Sequence, residues 1–482
     1  MSKTVFSVKR VETDFVLEAD EGDEKHTINE DCVIDVFPPY SHHSNHQVVF
    51  AKVNEEPAEE KIEKRTSLCI LPVTNLPEVV LERFAARSQW FLPSLMNNNE
   101  GQSQPNIHVI ISGKSGGELA KTVYDSLLKP YLDAFGLVDG TDYQAHETTS
   151  TESITELTKD VLLPRAQASI SQSVILLSGD GGIVDLVNGF LHDGPPSEKY
   201  IKPKLAVLPM GTGNSLAHST GVASDRTLGM AAVARGSPRS LPLYKAQLSS
   251  KSYQSSGTQA VQDPEAFDTI IPADHQALIV FGAVVFSYGL HASLVGDSDT
   301  PEYRKHGNER FQMAAANLLF PPDNASPHAY CAKLSIRLAG SDSWQEVPRP
   351  AHAYILATFN SNMEATFKIS PSSKPLDGHF RLVHFGTLEG GGNAIMDIMK
   401  AAYDGGKHVD DERVSYEDIE ALKIDFDVED DEKDDQWRRV CVDGKIFVVA
   451  RKGNVVVEKE EMSVVDFVMM GGEPIEDDVK IL

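Results

Sequence analysis

Three times between residues 107 and 219 a short apolar run ends in a glycine-rich turn and leads into a helix-compatible stretch. IHVIIS runs into Gly113-Lys114-Ser115-Gly116-Gly117, SVILLS into Gly179-Asp180-Gly181-Gly182, and KLAVLPM into Gly211-Thr212-Gly213-Asn214. Strand, glycine turn and helix in alternation indicate an α/β layer with a mainly parallel sheet, whose ligands sit at the carboxyl ends of the strands. A tight strand-to-helix turn presents unpaired backbone N–H groups and the positive helix end, which suits phosphate. Two familiar nucleotide motifs fail here. Gly113-Lys114-Ser115 has the ending of a P-loop, but His108 stands where the upstream glycine belongs, and Gly211-x-Gly213 meets Leu216 where a dinucleotide fingerprint needs its third glycine.

The flanking sequence is different in kind. Before Val53 the runs TVFSVKRV, DFVLEA, CVIDVF and QVVFAKV read as a small antiparallel β unit, followed by the acidic linker EEPAEEKIEKR, a further strand SLCILPV and a helix opened by Leu76-Pro77 that carries Val79, Leu81, Phe84 and Trp90. The polar stretch from Met96 to Pro105 marks a boundary. Beyond Arg239 the pattern is again mainly β and antiparallel, with one helical insertion, YRKHGNERFQMAAANLLF, and a polar insertion from Ser249 to Asp263. The expected domains are 1–104 (β-rich, in a pleckstrin-homology-like arrangement or a generic β-sandwich), 105–238 (α/β), 239–460 (β-rich) and an acidic tail, 461–482.

With 44 basic and 71 acidic residues in 482, the chain carries a net charge of −27 and lacks the basic footprint that nucleic-acid binding requires. The acidity is local. Residues 1–65 hold 8 basic and 15 acidic residues, 404–435 hold 4 and 15, and 458–482 hold 2 and 8, so these stretches account for 24 of the 27 excess charges. The rest is near neutral, which leaves room for an anionic nucleotide and a membrane surface. Cys32, Cys69, Cys331 and Cys441 form no metal-ligand spacing and read as free thiols. The stretch MSKTVFSVKRVETDF lacks the apolar run expected of a signal peptide, and the longest near-continuous apolar run, Ala277 to Phe286, is too short to span a bilayer. The expected location is the cytoplasm, with peripheral membrane association.

SGDGGIVDLVNGF followed by LAVLPMGTGNSLAHS resembles the diacylglycerol kinase and sphingosine kinase superfamily of lipid kinases, and the resemblance continues in ISGKSGGELA, YRKHGNERF, PLDGHFRLVHF and VDGKI, in family order over roughly residues 105–450. It implies a two-lobed lipid kinase, with an α/β nucleotide-binding lobe and a mainly antiparallel β lobe that carries the lipid pocket, plus the extra N-terminal β-rich unit. ATP is the implied co-substrate and Mg²⁺ the implied metal, because phosphoryl transfer needs charge neutralisation, positioning and a base. By its place in the motif Asp180 would be that base; as structure alone it would cap a helix beginning near Ile183. Ser178, Gly179, Gly181, Gly182, Gly211, Thr212, Gly213 and Asn214 would cradle the triphosphate. Ser112, Lys114, Ser115 and Gly116 match the family's first nucleotide loop, and Thr148 corresponds to its nucleotide-contacting threonine. Arg304 and Arg310 match two phosphate-contacting arginines, which six residues apart on one helix would diverge by about 120°, so Gly307 is expected to bend the segment. Asp185 and Asp443 match acids near the phosphates and metal.

Three departures stand out. The first loop reads Ser112-Gly113 where the family has Asn-Pro. Lys445 stands where sphingosine kinases carry Glu. After Tyr288-Gly289 the chain reads HASLV, with carboxylates first at Asp297 and Asp299, where sphingosine kinases place an Asp for the substrate amine. Phe281, Val284, Val285, Phe286, Leu318, Leu319 and Phe320 are apolar enough to line a lipid pocket and fit core positions better, so the lipid-binding residues stay unassigned. The leading expectation is phosphorylation of the primary hydroxyl of a sphingoid base at a membrane surface, docked transiently; diacylglycerol or ceramide is the alternative. A reading of another class is a catalytically silent lipid-binding adaptor on a kinase scaffold.

Overall fold

Each of the three apolar runs forms a strand in the computed structural model, which describes residues 4–39, 45–54, 61–85, 90, 105–113, 119–255, 277–306, 309–322, 325–426 and 434–471. Two compact units result, Met1–Ser240 with Val464–Leu482, and Leu241–Ser463.

The described residues of the first unit form two sheets. Strands β1 (Phe6–Val11), β2 (Asp14–Ala19) and β3 (Lys25–Asn29) make one antiparallel meander, and β4 (Val33–Phe37), β5 (His46–Val53) and β6 (Thr66–Thr74) a second. A short parallel pairing of β1 with β6 joins them in the order β3-β2-β1-β6-β5-β4. The inward residues alternate, Phe6 and Val8 on β1 with Phe15 and Leu17 on β2, and they bury Val80 and Phe84 of the helix Glu78–Phe84. That helix opens at Pro77, as the sequence indicates, and stops before Trp90.

The second sheet is the expected α/β layer. It contains β7 (Ile107–Ile111), β8 (Tyr143–Glu147), β9 (Ser173–Ser178), β10 (Lys204–Pro209) and β11 (Ser237–Ser240), in the order β8-β7-β9-β10, then the strand Asp466–Met469, then β11. All pairings are parallel except that of β11 with Asp466–Met469. Because β8 lies on one side of β7 and β9 on the other, the strand order reverses at β7, and this is where an open α/β sheet forms its ligand crevice.

Two expected boundaries need correction. The N-terminal sheet is not an independent domain ending at 104. Ile34, Phe37, Val49 and Ala51 share one buried core with the helical stretch 119–134, the Tyr131 hydroxyl donates to the buried Asp35 carboxylate at 2.9 Å, and Arg235 donates to the carbonyls of Ile34 at 2.8 Å and Val33 at 3.1 Å. The stretch 461–482 is not simply a tail either, since Asp466–Met469 supplies an interior strand with Phe467 and Val468 fully buried. Acidity around a short apolar run, VVDFVMM, hides that strand from a composition reading.

Among the described residues the second unit is one antiparallel network of thirteen strands around a core that includes Tyr244, Phe286, Tyr288, Phe380 and Leu422. The apolar stretch ALIVFGAVVFSYG splits into Leu278–Gly282, which pairs with Leu243–Leu248, and Val285–Gly289, which pairs with Ala351–Thr358 and Arg439–Val442. Helices Leu290–Ser298 and Gly391–Tyr403 add to the expected pattern. Ala394, Ile395, Ile398 and Ala402 carry the second at helical spacing. Part of the polar insertion pairs as the strand Tyr253–Ser255; its remainder to Asp263, the acidic residues 427–433 and residues 472–482 lie outside the described residues. No described helix is long and apolar enough to cross a membrane.

Candidate active site

Four turns emerge at the carboxyl ends of β7, β8, β9 and β10, flanking the point where the strand order reverses. They carry Ser112-Gly113, Thr148, Ser178-Gly179-Asp180 and Gly211 to Asn214. The turns after β9 and β10 touch backbone to backbone. A Cβ on Gly179 would lie 2.7 Å from the Gly211 Cα, so both positions demand glycine for packing. Gly181 differs: a Cβ there meets nothing within 4 Å, and its exposed backbone opens the helix Asp180–Phe190. Uncovered backbone at a helix N-terminus leaves room for an anion, the role expected of Gly181. Gly182 instead packs on Ser178.

Asp180 is the first residue of its helix, not a cap for one beginning at Ile183, and its carboxylate reaches into the next turn. Oδ2 accepts from the Ser215 N–H at 2.7 Å and Oδ1 from the Leu216 N–H at 3.3 Å. It therefore sits at the start of the helix Ser215–Ser219, half-buried, with a backbone donor on each oxygen. These two amides belong to no side-chain motif, which is why the sequence gives no sign of them. Asp185 lies five residues on, about 140° around the same helix from Asp180, and is half-buried.

The first loop shows how the chain absorbs its departure from Asn-Pro. The Gly113 N–H, which a proline lacks, donates to Thr148 Oγ1 at 3.0 Å, and the Thr148 N–H donates to the Ile111 carbonyl at 2.9 Å. Thr148 thus meets the first loop directly. Lys114, Ser115 and Gly116 lie outside the described residues.

Arg304, Arg310 and Asp443 belong to the second unit. Arg304 ends the helix Pro301–Arg304 and Arg310 sits at the start of Glu309–Leu319, while Gly307, expected to bend the segment, lies outside the described residues. Arg310 lies 3.6 Å from Asp299 and covers the Phe311 ring. Asp297 accepts from Arg439 at 2.8 Å. Both carboxylates considered for a substrate amine are therefore engaged with arginines.

Asp443 does not present itself to a nucleotide or metal. With φ 48° and Gly444 at φ 87°, it forms the two-residue turn that joins Arg439–Val442 to Lys445–Val448, an Asp-Gly hairpin of the mirror-image type that suits strand twist. Its buried carboxylate accepts from the N–H groups of Ala283 at 2.6 Å, Val284 at 3.1 Å and Val285 at 2.7 Å, and from the Tyr244 hydroxyl at 2.8 Å. Burial pushes its pKa up, and these donors pull it back. The bonds hold the corner at Ala283-Val284, which is why the apolar run splits there. Lys445 lies across the turn from Val442. Val284, Val285 and Phe286 are core residues, and Phe320 is exposed.

Of the two acids expected near a metal, Asp443 has its carboxylate taken up by protein donors within the second unit. Among the described residues no group of three or more His, Cys, Asp or Glu side chains gathers into a metal site.

Residues 106–246 match the family model of the diacylglycerol kinase catalytic domain. The matched residues take in the α/β sheet from β7 to β11 and the turns that follow its strands. Among solved structures, that of a diacylglycerol kinase from Bacillus anthracis str. Sterne aligns at 14% identity over 76% of this chain and 96% of its own, with a TM-score of 0.47. A further structure from the same organism aligns at 14% identity over 76% and 97%, with a TM-score of 0.48. No curated protein matches the chain.

Proposed function

We propose that the chain transfers the terminal phosphoryl group of ATP to a hydroxyl of a lipid whose head group carries no amine, such as diacylglycerol or ceramide. The observation that carries the reading is the meeting of the β9 and β10 turns around Asp180, with an open backbone at Gly181 beside it. In this reading the exposed start of the helix Asp180–Phe190 receives phosphate, and Thr148 with the Gly113 backbone borders the nucleotide. Asp180, held by two amides, takes the proton of the acceptor hydroxyl as oxygen attacks phosphorus and ADP leaves. A divalent ion would accompany the nucleotide phosphates and neutralise their charge. The lipid is met by transient docking at a bilayer.

The uncharged head group is supported by the pairing of Asp297 with Arg439 and of Asp299 with Arg310. A sphingoid base remains the competing acceptor, favoured by the likeness of LPMGTGNSLAHS and EYRKHGNERF to sphingosine kinases. Incubation of purified protein with ATP, Mg²⁺ and micellar sphingosine, phytosphingosine, ceramide or diacylglycerol separates them. Product from the last two alone is expected. Product from the sphingoid bases alone refutes the uncharged head group, and none from any lipid refutes the kinase. Calorimetry with Mg-ATP tests the silent-adaptor alternative, which requires that ATP binding be lost.

A further inference from the structure

We infer that Asn214, expected from the sequence to touch the nucleotide, is instead the positioning residue that holds Asp180. What Asp180 does rests on the lipid-kinase reading; how it is held rests on hydrogen bonds alone. The Asn214 side chain is spent on its own turn. Oδ1 accepts from the Gly211 N–H at 2.8 Å, and Nδ2 donates to the carbonyls of Gly211 at 2.8 Å and Pro209 at 3.4 Å. A primary amide has two N–H donors, and both are committed. Nothing on this side chain is left to donate to a phosphate oxygen.

Its backbone completes the device. Asn214 lies in the left-handed region, φ 54° and ψ 44°, which Asn tolerates better than most residues. That conformation turns the chain directly into the helix Ser215–Ser219. The first two amides of the helix then fall on Asp180, the Ser215 N–H on Oδ2 at 2.7 Å and the Leu216 N–H on Oδ1 at 3.3 Å. A donor on each oxygen fixes both the position and the twist of the carboxylate. The contact of Gly179 with Gly211 seats the two turns against each other, so displacement of the 209–214 turn moves the clasp off Asp180. The third glycine turn, in this account, orients the base while the second receives phosphate.

The test uses the full chain with Asn214→Gly, which keeps the left-handed backbone and loses the amide, and Asn214→Asp, which keeps the acceptor and loses both donors. Steady-state kinetics on the preferred lipid are expected to show kcat reduced about 10- to 100-fold with the KM for ATP nearly unchanged, since displacement of a reacting group is costly where binding is not. Hydrogen exchange at the Ser215 and Leu216 amides should accelerate by about tenfold or more as their protection is lost. A raised KM for ATP at unchanged kcat makes Asn214 a nucleotide contact and overturns the inference. Unchanged exchange at both amides overturns it as well. If the native protein phosphorylates no lipid, the kinase reading falls, while the exchange measurement still decides whether Asn214 holds the clasp. Should Asn214→Gly fail to fold, Asn214→Asp carries both measurements.

Discussion

Replacing Asp443 by asparagine sets the role implied by family resemblance against the one its hydrogen bonds describe. Asparagine nearly matches aspartate in shape and tolerates the left-handed backbone, so the change is electronic. One oxygen accepts from Val285, Val284 and Tyr244 and the other from Ala283 and Val284. Whichever oxygen becomes NH₂, a buried backbone N–H faces a second donor, at a cost of about 1–3 kcal/mol for each unmet group. Loss of the charged acceptor adds to this, and relief of the buried charge offsets part of it, leaving about 2 kcal/mol. For a unit of this size each kcal/mol lowers Tm by about 2–4 °C, so the Asp443→Asn protein should melt about 4–8 °C lower, followed by the fluorescence of Trp437. The KM for ATP should hold. An unchanged Tm with a KM for ATP raised tenfold or more refutes the structural role and restores Asp443 as a ligand of the nucleotide or its metal.

Gly179→Ala should destabilise the first unit by about 1–3 kcal/mol through overpacking on Gly211, whereas Gly181→Ala, which meets nothing, should leave urea unfolding unchanged and raise the KM for ATP; equal unfolding curves for both refute the packing argument. Thr148→Val removes the acceptor of the Gly113 N–H and should cost about 1 kcal/mol and weaken Mg-ATP binding by calorimetry, and unaltered binding would detach Thr148 from the nucleotide loop. His108 is fully buried beside His146, and burial first, then that neighbour, pushes its pKa down to about 3. The unfolded chain takes up a proton there below a pH of about 6.5 that the native state refuses until about 3, so acidification through that window lowers stability by about 1.4 kcal/mol per pH unit. His108→Gln should flatten the loss between pH 6 and pH 4 in urea titrations by about that slope; an unaltered slope shows that the group does not carry it.

The α/β layer was legible because its signal is redundant: each parallel strand is a wholly apolar run, and each ends at glycine. Asp180, Gly181 and Thr148 could be placed for the same reason, since they follow directly from strand ends. What the sequence hid lies in backbone groups and in long-range pairing. The amides of Ser215 and Leu216 are invisible to a motif that names side chains. The structural bonds of Asp443 could not be read because Asp-Gly after a β run signals only a tight hairpin, and a carboxylate that captures the backbone some 160 residues earlier leaves no local trace. Asn214 sits in a phosphate-like turn, yet whether its amide faces inward depends on ψ, which composition does not encode. The strand Asp466–Met469 escaped notice because its partners lie more than 200 residues back.

That strand also sets an order on synthesis. It lies between β10 and β11, so the α/β sheet has an empty interior place, its edges unsatisfied, until the ribosome has made residue 469. Everything from Leu241 to Ser463 is translated while the gap is open. At about 5–20 residues per second that interval lasts on the order of ten seconds or more, long enough for the second unit to fold first. The nascent first unit must wait with two exposed strand edges, the kind of surface that invites aggregation and chaperone binding.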